Sequence, residues 1–291
     1  METILLTGST GFIGSFFTKQ FQRQYNIKDF SLFKNDLEAL DLSDIKTVIH
    51  CAALVHQKTD YPYEKYYDIN VAYPMELARK AKKHGVKQFI FISTIAVYGE
   101  EEKRLNEETV CNPVTSYGNS KLEAENQLEK LGDNRFIISI IRSPMVYGKD
   151  APGNIKSLLK LIRQIPVLPF SKIENKRSFV YIGNLCEIIH RIIQTKKKGI
   201  FLASDDKPIS TTMLIQLISK AMGKKTILIK IPFFEVALKV LKPSIHKRLY
   251  GDLIVDNTVT KQKLNFENRY TTDAGINLMV KGDVCVKKQE G

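Results

Sequence analysis

Residues 4–14 read Ile4-Leu5-Leu6-Thr7-Gly8-Ser9-Thr10-Gly11-Phe12-Ile13-Gly14, and Phe16, Phe17 and Phe21 follow at helical spacing. An apolar run, a glycine-rich turn and a helical pattern in this order predict a strand, a tight loop and a helix. Gly8 permits the turn, Gly11 lets the backbone approach a pyrophosphate, and Gly14 lets the helix pack closely on the strand. Because the free N–H groups of a helix N-terminus attract anions, the stretch predicts a dinucleotide-binding site.

A second group of polar residues lies at the end of an apolar run and at the start of a helical pattern. Residues 88–94 end in Ser93-Thr94, and residues 116–121 read Ser116-Tyr117-Gly118-Asn119-Ser120-Lys121. Tyr117 and Lys121 are four residues apart, so both side chains project from one face of a helix. A nearby ammonium group favours the phenolate, which would lower the pKa of Tyr117 from its ordinary value of about 10. Such a tyrosine can transfer protons, and the Thr94 hydroxyl can hold a substrate oxygen.

The glycine spacing, the strand end and the Tyr-x-x-x-Lys helix occur together and in this order. The set resembles the extended branch of the short-chain dehydrogenase/reductase superfamily, the group of NAD-dependent nucleotide-sugar epimerases, dehydratases and reductases. The resemblance covers nearly the whole chain. It implies an α/β fold, a Rossmann-type doubly wound parallel sheet with a smaller C-terminal α/β substrate lobe. The expected dinucleotide-binding domain is 1–150 with 178–203 returning to it, and the substrate lobe lies mainly in 151–291.

The resemblance also implies roles for individual residues. Thr94, Tyr117 and Lys121 match the catalytic triad, Asn70 matches an asparagine that positions the active-site strand, and Asp41-Leu42 matches the pair that contacts adenine. The expected cofactor-binding residues are Gly8, Thr10, Gly11, Phe12, Ile13, Gly14, Lys34, Asp41, Leu42, Ala52, Ala53, Asn70, Tyr117, Lys121 and Pro144. The expected substrate-binding residues are Thr94, Asn154, Arg177, Arg248 and Asp252. Arg177 falls where the group binds the diphosphate, whereas Asn184 replaces its usual aspartate.

The choice of nicotinamide cofactor depends on the residue that follows the second strand. An acidic residue there accepts hydrogen bonds from the ribose hydroxyls of NAD and repels the additional phosphate of NADP. We expect this strand at residues 30–33, followed by Lys34. A cation suits a 2′-phosphate, so the sequence favours NADP(H). NAD(H) stays open because Asp36 lies only two residues further on.

Residues 95 and 96 bear on the reaction. Dehydratases of the group have an Asp-Glu pair after the catalytic threonine, whereas Ile95 and Ala96 stand here and cannot transfer protons. We therefore expect hydride transfer from NAD(P)H to C4 of a UDP-4-keto-6-deoxy-N-acetylhexosamine, as in the reductases of capsule and O-antigen polysaccharide biosynthesis. The alternative is a UDP-glucose or UDP-N-acetylglucosamine 4-epimerase with retained NAD. A nucleotide-sensing protein without turnover is a third hypothesis, against which the intact triad argues.

Composition excludes several other classes. The 291 residues are 43% hydrophobic and 26% charged, which is ordinary for a globular protein. The sequence has no apolar run of the ~20 residues that a membrane span needs, and its N-terminus lacks the basic region of a signal peptide. The four cysteines, Cys51, Cys111, Cys186 and Cys285, do not have the spacing of a metal site. We expect reduced thiols, a cytoplasmic location and no metal, and we interpret His50, inside an apolar run, as a core residue.

Charge is distributed unevenly along the chain. Residues 1–150 contain 19 Lys+Arg and 20 Asp+Glu, whereas residues 151–291 contain 25 and 11. A nucleic-acid binder would be basic throughout, so we expect no nucleic acid partner. The basic half indicates either an anionic ligand or surface, or lysines that only increase solubility. We expect the basic apolar helix at 232–242 to pack in the substrate lobe, with membrane contact as the less favoured alternative. Helices at 65–84 and 117–132 resemble those that pair subunits in the family, which implies a homodimer.

Overall fold

A computed structural model describes residues 1–31, 36–55 and 61–282 of the chain. Within these residues the strands are β1 (Glu2–Thr7), β2 (Tyr25–Phe30), β3 (Thr47–His50), β4 (Gln88–Thr94), β5 (Arg104–Leu105), β6 (Ile137–Ser143), β7 (Met145–Tyr147), β8 (Val167–Leu168), β9 (Phe179–Tyr181), β10 (Gly199–Leu202), β11 (Ile227–Leu228) and β12 (Ile254–Val255). The α-helices are α1 (Phe12–Phe21), α2 (Tyr63–Tyr67), α3 (Tyr73–Lys83), α4 (Ser116–Leu131), α5 (Asn154–Gln164), α6 (Ile182–Thr195), α7 (Thr211–Ala221), α8 (Phe234–Leu241), α9 (Pro243–Tyr250), α10 (Thr258–Leu264) and α11 (Thr272–Lys281). A π-helical turn, Asp68–Ala72, joins α2 to α3, and a 3₁₀ turn, Ile95–Tyr98, follows β4.

Contacts within the chain divide it into two units. The first contains residues 1–144, 185–203 and 256–267, and the second contains residues 145–184, 204–255 and, as far as the chain is described, 268–282. Residues 256–267 were expected in the C-terminal lobe. They belong to the first unit because α10 is bonded to β10, where the Leu202 N–H donates to the Thr260 hydroxyl at 2.7 Å.

The first unit is built on a six-stranded sheet in the order β10-β6-β4-β3-β1-β2, and every neighbouring pair is parallel. The predicted parallel α/β fold is confirmed. β3 and β4 are buried along nearly their whole length, as expected for parallel strands that are covered on both faces. Thr7 pairs with His50, and Thr94 pairs with Ser143. The loops that follow β1, β3, β4 and β6 therefore leave the sheet at the same carboxyl edge, where α/β proteins bind ligands.

A hydrophobic core joins this sheet to the helices on one face. Side chains from three strands meet side chains from α3 and α4 in one buried cluster, which includes Val48, Phe89, Phe91, Ile138, Ile140, Leu77, Ala78, Ala81, Ala124 and Leu128. Full burial of an aliphatic or aromatic side chain contributes about 1.5–3 kcal/mol, so this cluster holds α4 firmly against the strand ends.

The structure corrects the predicted bounds of the second strand and divides a later apolar run in two. β2 begins at Tyr25 and ends at Phe30, whereas the sequence predicted a strand at 30–33. The prediction missed the true strand because the exposed positions of this edge strand are polar. Lys34, on which the NADP(H) expectation rests, lies outside the described residues. The apolar run around residue 140 forms two strands, β6 and β7, because Pro144 between them has no N–H group to donate to a ladder.

The second unit contains two small parallel pairs, β7 with β9 and β8 with β11. Asp205 is buried beside the first pair and accepts hydrogen bonds from the Tyr147 hydroxyl at 2.6 Å, the Tyr181 N–H at 3.0 Å and the Asn184 amide at 2.8 Å. The Asn184 amide also donates to the Tyr270 carbonyl at 2.8 Å and accepts from its N–H at 3.0 Å. Asn184 thus replaces the family's aspartate without leaving its hydrogen bonds unmade.

α8 confirms the helix that was predicted at residues 232–242, and α9 follows it directly. Both helices lie wholly in the described part of the chain, and none of their residues is fully buried. Across the described residues, no helix combines the length and the apolar character needed to cross a bilayer.

Candidate active site

The loop between β1 and α1 presents backbone rather than side chains. Gly8 has φ +71°, and a Cβ there would lie 2.7 Å from the Ala52 nitrogen. A Cβ on Gly14 would overlap the Gly8 carbonyl oxygen. Gly11 is the N-cap of α1 and makes no side-chain capping bond. The loop is therefore a cradle with the shape and the N–H groups that a pyrophosphate requires, and the two glycines have no substitute at these positions.

Several of the predicted cofactor residues lie in this loop or at the same carboxyl edge of the sheet. Thr10 and Gly11 are exposed, and Phe12 and Ile13 are half-buried. Ala52 and Ala53 follow β3, and Pro144 follows β6 at the same sheet edge. The Asp41 carboxylate accepts hydrogen bonds from the N–H and hydroxyl of Ser43, which hold the pKa of Asp41 below its ordinary value. Leu42 is buried in the core, so any contact with a cofactor would come from its backbone.

Thr94, Tyr117 and Lys121 come together where β4 ends and α4 begins. The Thr94 side chain lies beside the Tyr117 hydroxyl and favours its ionised form, and it also accepts from the Ala96 N–H at 3.2 Å. Lys121 lies one turn further along α4, is 1% exposed, and has its Nζ 3.6 Å from the centroid of the Phe91 ring. A cation over an aromatic face in a desolvated site is held by the quadrupole of the ring.

Burial dominates the electrostatics of these groups. It lowers the pKa of Lys121 to about 7, against the opposing attraction of Glu125. It raises the pKa of Tyr117 to about 12, although the Thr94 side chain acts in the other direction. The sequence predicted a lowered pKa for Tyr117, and the protein by itself has the reverse because desolvation penalises the phenolate.

Asn70 fixes the relation between the strand end and α4. It lies in the π-helical turn and is wholly buried. Its amide donates to the Leu54 carbonyl and to the Ser120 hydroxyl, both at 3.0 Å, and accepts from the Leu54 N–H at 2.8 Å. Ser120 donates to the Tyr117 carbonyl at 2.9 Å. Because the Asn70 amide is fully engaged, it acts as a positioning residue, and any effect on a cofactor passes through the backbone of Leu54.

A buried ion pair that the sequence analysis missed lies behind Lys121. The Arg142 guanidinium donates to the Glu125 carboxylate through Nη2 at 2.6 Å and through Nε at 3.0 Å. The two side chains are 5% and 1% exposed, and the Ser93 hydroxyl also donates to Glu125. An arginine in β6, a buried strand with no other charged residue, was the available signal, since a buried charge requires a partner.

The structure confirms that His50 is a core residue, as the sequence predicted. It is 1% exposed, its Nδ1 lies 2.9 Å from the Thr7 hydroxyl, and its ring stacks on that of Phe91 at 5.8 Å. Burial and the charge of Lys121 lower the pKa of His50 to about 3, so the ring is neutral at ordinary pH.

Three of the predicted substrate residues cluster within the second unit. Arg177 is half-buried and donates to the Gly251 carbonyl at 3.1 Å. Burial and the charge of Arg248 lower the pKa of Arg177, whereas Asp252 raises it, so the three charged groups interact. Asp252 accepts from the Lys176 N–H at 2.7 Å. Asn154 is the exposed first residue of α5.

Comparison with known proteins places the chain in a family. The family model "NAD dependent epimerase/dehydratase family" matches residues 4–202. The chain belongs to this family. It is 36% identical to a UDP-glucose 4-epimerase of Vibrio cholerae, over 94% of this chain and 93% of that protein. It is 27% identical to the N-acetyl-alpha-D-glucosaminyl-diphospho-ditrans,octacis-undecaprenol 4-epimerase of Escherichia coli O157:H7, over 80% and 76%.

The fold of this epimerase/dehydratase-family chain also matches solved structures. The UDP-glucuronic acid 4-epimerase of Bacillus cereus, solved in complex with NAD, superposes with a TM-score of 0.76 at 21% identity, over 96% of this chain and 97% of that one. These comparisons confirm the predicted family and the Rossmann-type fold. They also confirm that the chain is an enzyme of a family that uses NAD.

Proposed function

We propose that this enzyme is a 4-epimerase that inverts C4 of a hexose or N-acetylhexosamine carried on a diphosphate, with NAD retained through the reaction. The observation that carries the proposal is the juxtaposition of Thr94, at the end of β4, with Tyr117 in the first turn of α4 and Lys121 buried one turn further along that helix. Epimerase relatives at 36% and 27% identity support it. Ile95 and Ala96, which cannot transfer protons, argue against a dehydratase.

The chain has a suitable site for the cofactor. Gly8 and Gly14 leave the space that a pyrophosphate would fill, and the uncapped N-terminus of α1 supplies donors. NAD, when bound there, supplies reversible hydride chemistry at C4. We take NAD over NADP because the family model is that of NAD-dependent enzymes and β2 ends without a basic residue, at Phe30.

The residues of the chain supply the proton chemistry. Tyr117 accepts the proton of the sugar 4-hydroxyl and returns it, while Thr94 holds the oxygen within hydrogen-bond reach. A phenol of pKa about 12 needs added positive charge nearby to act at neutral pH, and Lys121 provides it when it is protonated. We assign the diphosphate of the substrate to Arg177 and Arg248, because a planar guanidinium can donate two hydrogen bonds to it at once.

The test is to incubate the purified enzyme with UDP-glucose and, separately, UDP-N-acetylglucosamine, and to follow the C4 epimers by NMR. We expect interconversion without added cofactor, and NAD released when the protein is denatured. Tyr117→Phe should lower kcat by about 10²–10⁴-fold. The matched control is Tyr63→Phe, which removes only an exposed hydroxyl that donates to Glu123.

The reductase predicted from the sequence would use the same three residues, and the same samples distinguish the two reactions. Stoichiometric oxidation of NADPH or NADH by UDP-4-keto-6-deoxy-N-acetylglucosamine, without interconversion of the UDP-hexoses, would replace the epimerase proposal by the reductase. We also propose a homodimer that forms through residues 65–84 and α4. A role in polysaccharide biosynthesis and a cytoplasmic location belong to the same proposal. Light scattering of the purified protein tests the dimer.

A further inference from the structure

Residues 224–248, here called the basic apolar segment, combine exposed apolar side chains with a high positive charge. The large apolar side chains of this segment that are 39–83% exposed are Ile227, Ile229, Ile231, Phe233, Val236, Val240, Leu241 and Ile245. Its basic residues are Lys224, Lys225, Lys230, Lys239, Lys242, Lys247 and Arg248, and Glu235 is its one acidic residue. Single exposed apolar residues are ordinary, but eight within 19 positions mark an interaction surface.

Helix α8 is apolar on two sides. Phe234 faces inward, with its ring centroid 6.2 Å from that of Phe170. Phe233, Val236 and Val240 follow one another at helical spacing and are 83%, 60% and 73% exposed, and Leu241 at the C-terminal end of the helix is 74% exposed. These four residues are called the outer stripe. A helix that is held by one apolar face and presents another normally buries the second face against a further structure.

The charge of the segment decides among the structures that could cover the stripe. A second copy of the chain would bring an identical basic segment against this one across a two-fold axis, and the like charges would repel. Lysine is also depleted at ordinary protein interfaces. An anionic bilayer satisfies both features, because aliphatic and aromatic side chains enter the boundary between headgroups and acyl chains while lysines contact the lipid phosphates.

We propose that the basic apolar segment binds the surface of an anionic phospholipid bilayer, with the outer stripe of α8 inserted below the headgroups. The eight residues of α8 are about 12 Å long, against a hydrocarbon thickness of about 30 Å, so the helix lies along the surface rather than across it. The inference uses only the exposure and the charge of this segment, and it holds whichever reaction the enzyme catalyses.

The experiment is co-sedimentation of the full chain with vesicles of equal parts phosphatidylglycerol and phosphatidylcholine, and with vesicles of phosphatidylcholine alone. The wild-type protein should pellet with the anionic vesicles and bind the neutral ones more weakly. Val236→Gln with Val240→Gln and Leu241→Gln should reduce the partition coefficient at least about tenfold, because glutamine keeps the helix and removes the apolar insertion. Lys239→Gln and Lys242→Gln should each reduce it about fivefold at low salt.

Two control variants match these changes elsewhere in the chain. Val110→Gln with Val114→Gln alters apolar side chains that are 80% and 58% exposed in the first unit, and Lys197→Gln with Lys198→Gln removes two exposed lysines. Both should bind like wild type. Failure of the wild-type protein to pellet, or equal binding by the stripe variant, would overturn the proposal. A wild-type dimer that the stripe variant converts to a monomer in light scattering would instead assign the stripe to a second copy.

Discussion

Glu125→Gln isolates the contribution of the buried ion pair behind Lys121. Glutamine has nearly the shape of glutamate, so the substitution removes a charge without opening a cavity. Arg142 would remain 4% exposed without a counter-ion. Breaking a buried pair in this way costs about 3–5 kcal/mol, a large part of the roughly 5–15 kcal/mol that stabilises a folded protein. For a chain of this size we expect the Tm to fall by roughly 6–15 °C.

The assay is thermal and denaturant unfolding, with Glu129→Gln as the matched control. Glu129 lies one turn along the same helix and is exposed, so its loss should change the free energy of unfolding by less than about 0.5 kcal/mol. The double variant Glu125→Leu with Arg142→Met should recover most of the lost stability, because an apolar pair of similar volume replaces an ion pair at little cost. If Glu125→Gln unfolds like Glu129→Gln, the ion pair does not stabilise the strand end and this reasoning fails.

Three further predictions concern single residues of the first unit. Lys121 has a pKa of about 7 in the folded state, below its unfolded value of 10.5, so folding releases its proton between these two pH values. The free energy of unfolding, measured in urea titrations, should therefore rise with pH across this window relative to Lys121→Met, by up to about 1.4 kcal/mol per pH unit. Equal pH profiles for the two proteins would contradict this prediction. Gly8→Ala should destabilise clearly more than Gly223→Ala in the same urea titrations, because both residues have positive φ but only at Gly8 would a Cβ meet backbone. Asn70→Ala should lower stability by about 2–3 kcal/mol and speed hydrogen exchange of the Lys121 N–H, which lies inside α4. An unchanged exchange rate at Lys121 would show that the Asn70 hydrogen bonds do not hold α4 in place.

The sequence predicts the glycine loop, β4 and α4 because each depends on local spacing. Gly14 is required by its contact with the nearby Gly8 carbonyl, and Tyr117 and Lys121 share a helix face through a four-residue interval. The π-helical turn at Asn70 was not predicted, since one additional residue per turn leaves the helical pattern almost unchanged.

Features that depend on pairing between distant segments could not be predicted in the same way. Arg142 contacts Glu125 only because β6 pairs with β4, and no periodicity within either segment predicts that contact. β2 is an edge strand with polar exposed positions, so the apolar run that follows it looked like the better strand. The return of α10 to the first unit depends on one bond from the backbone of β10 to Thr260.

The ion pair behind Lys121 also sets the charge balance of the site. With Lys121 protonated, the three buried groups Lys121, Glu125 and Arg142 sum to a single positive charge. A phenolate at Tyr117 brings the sum to zero. With Lys121 protonated, electroneutrality in this desolvated region is thus reached when Tyr117 is a phenolate, and the counter-charge for proton removal then lies within the folded protein itself.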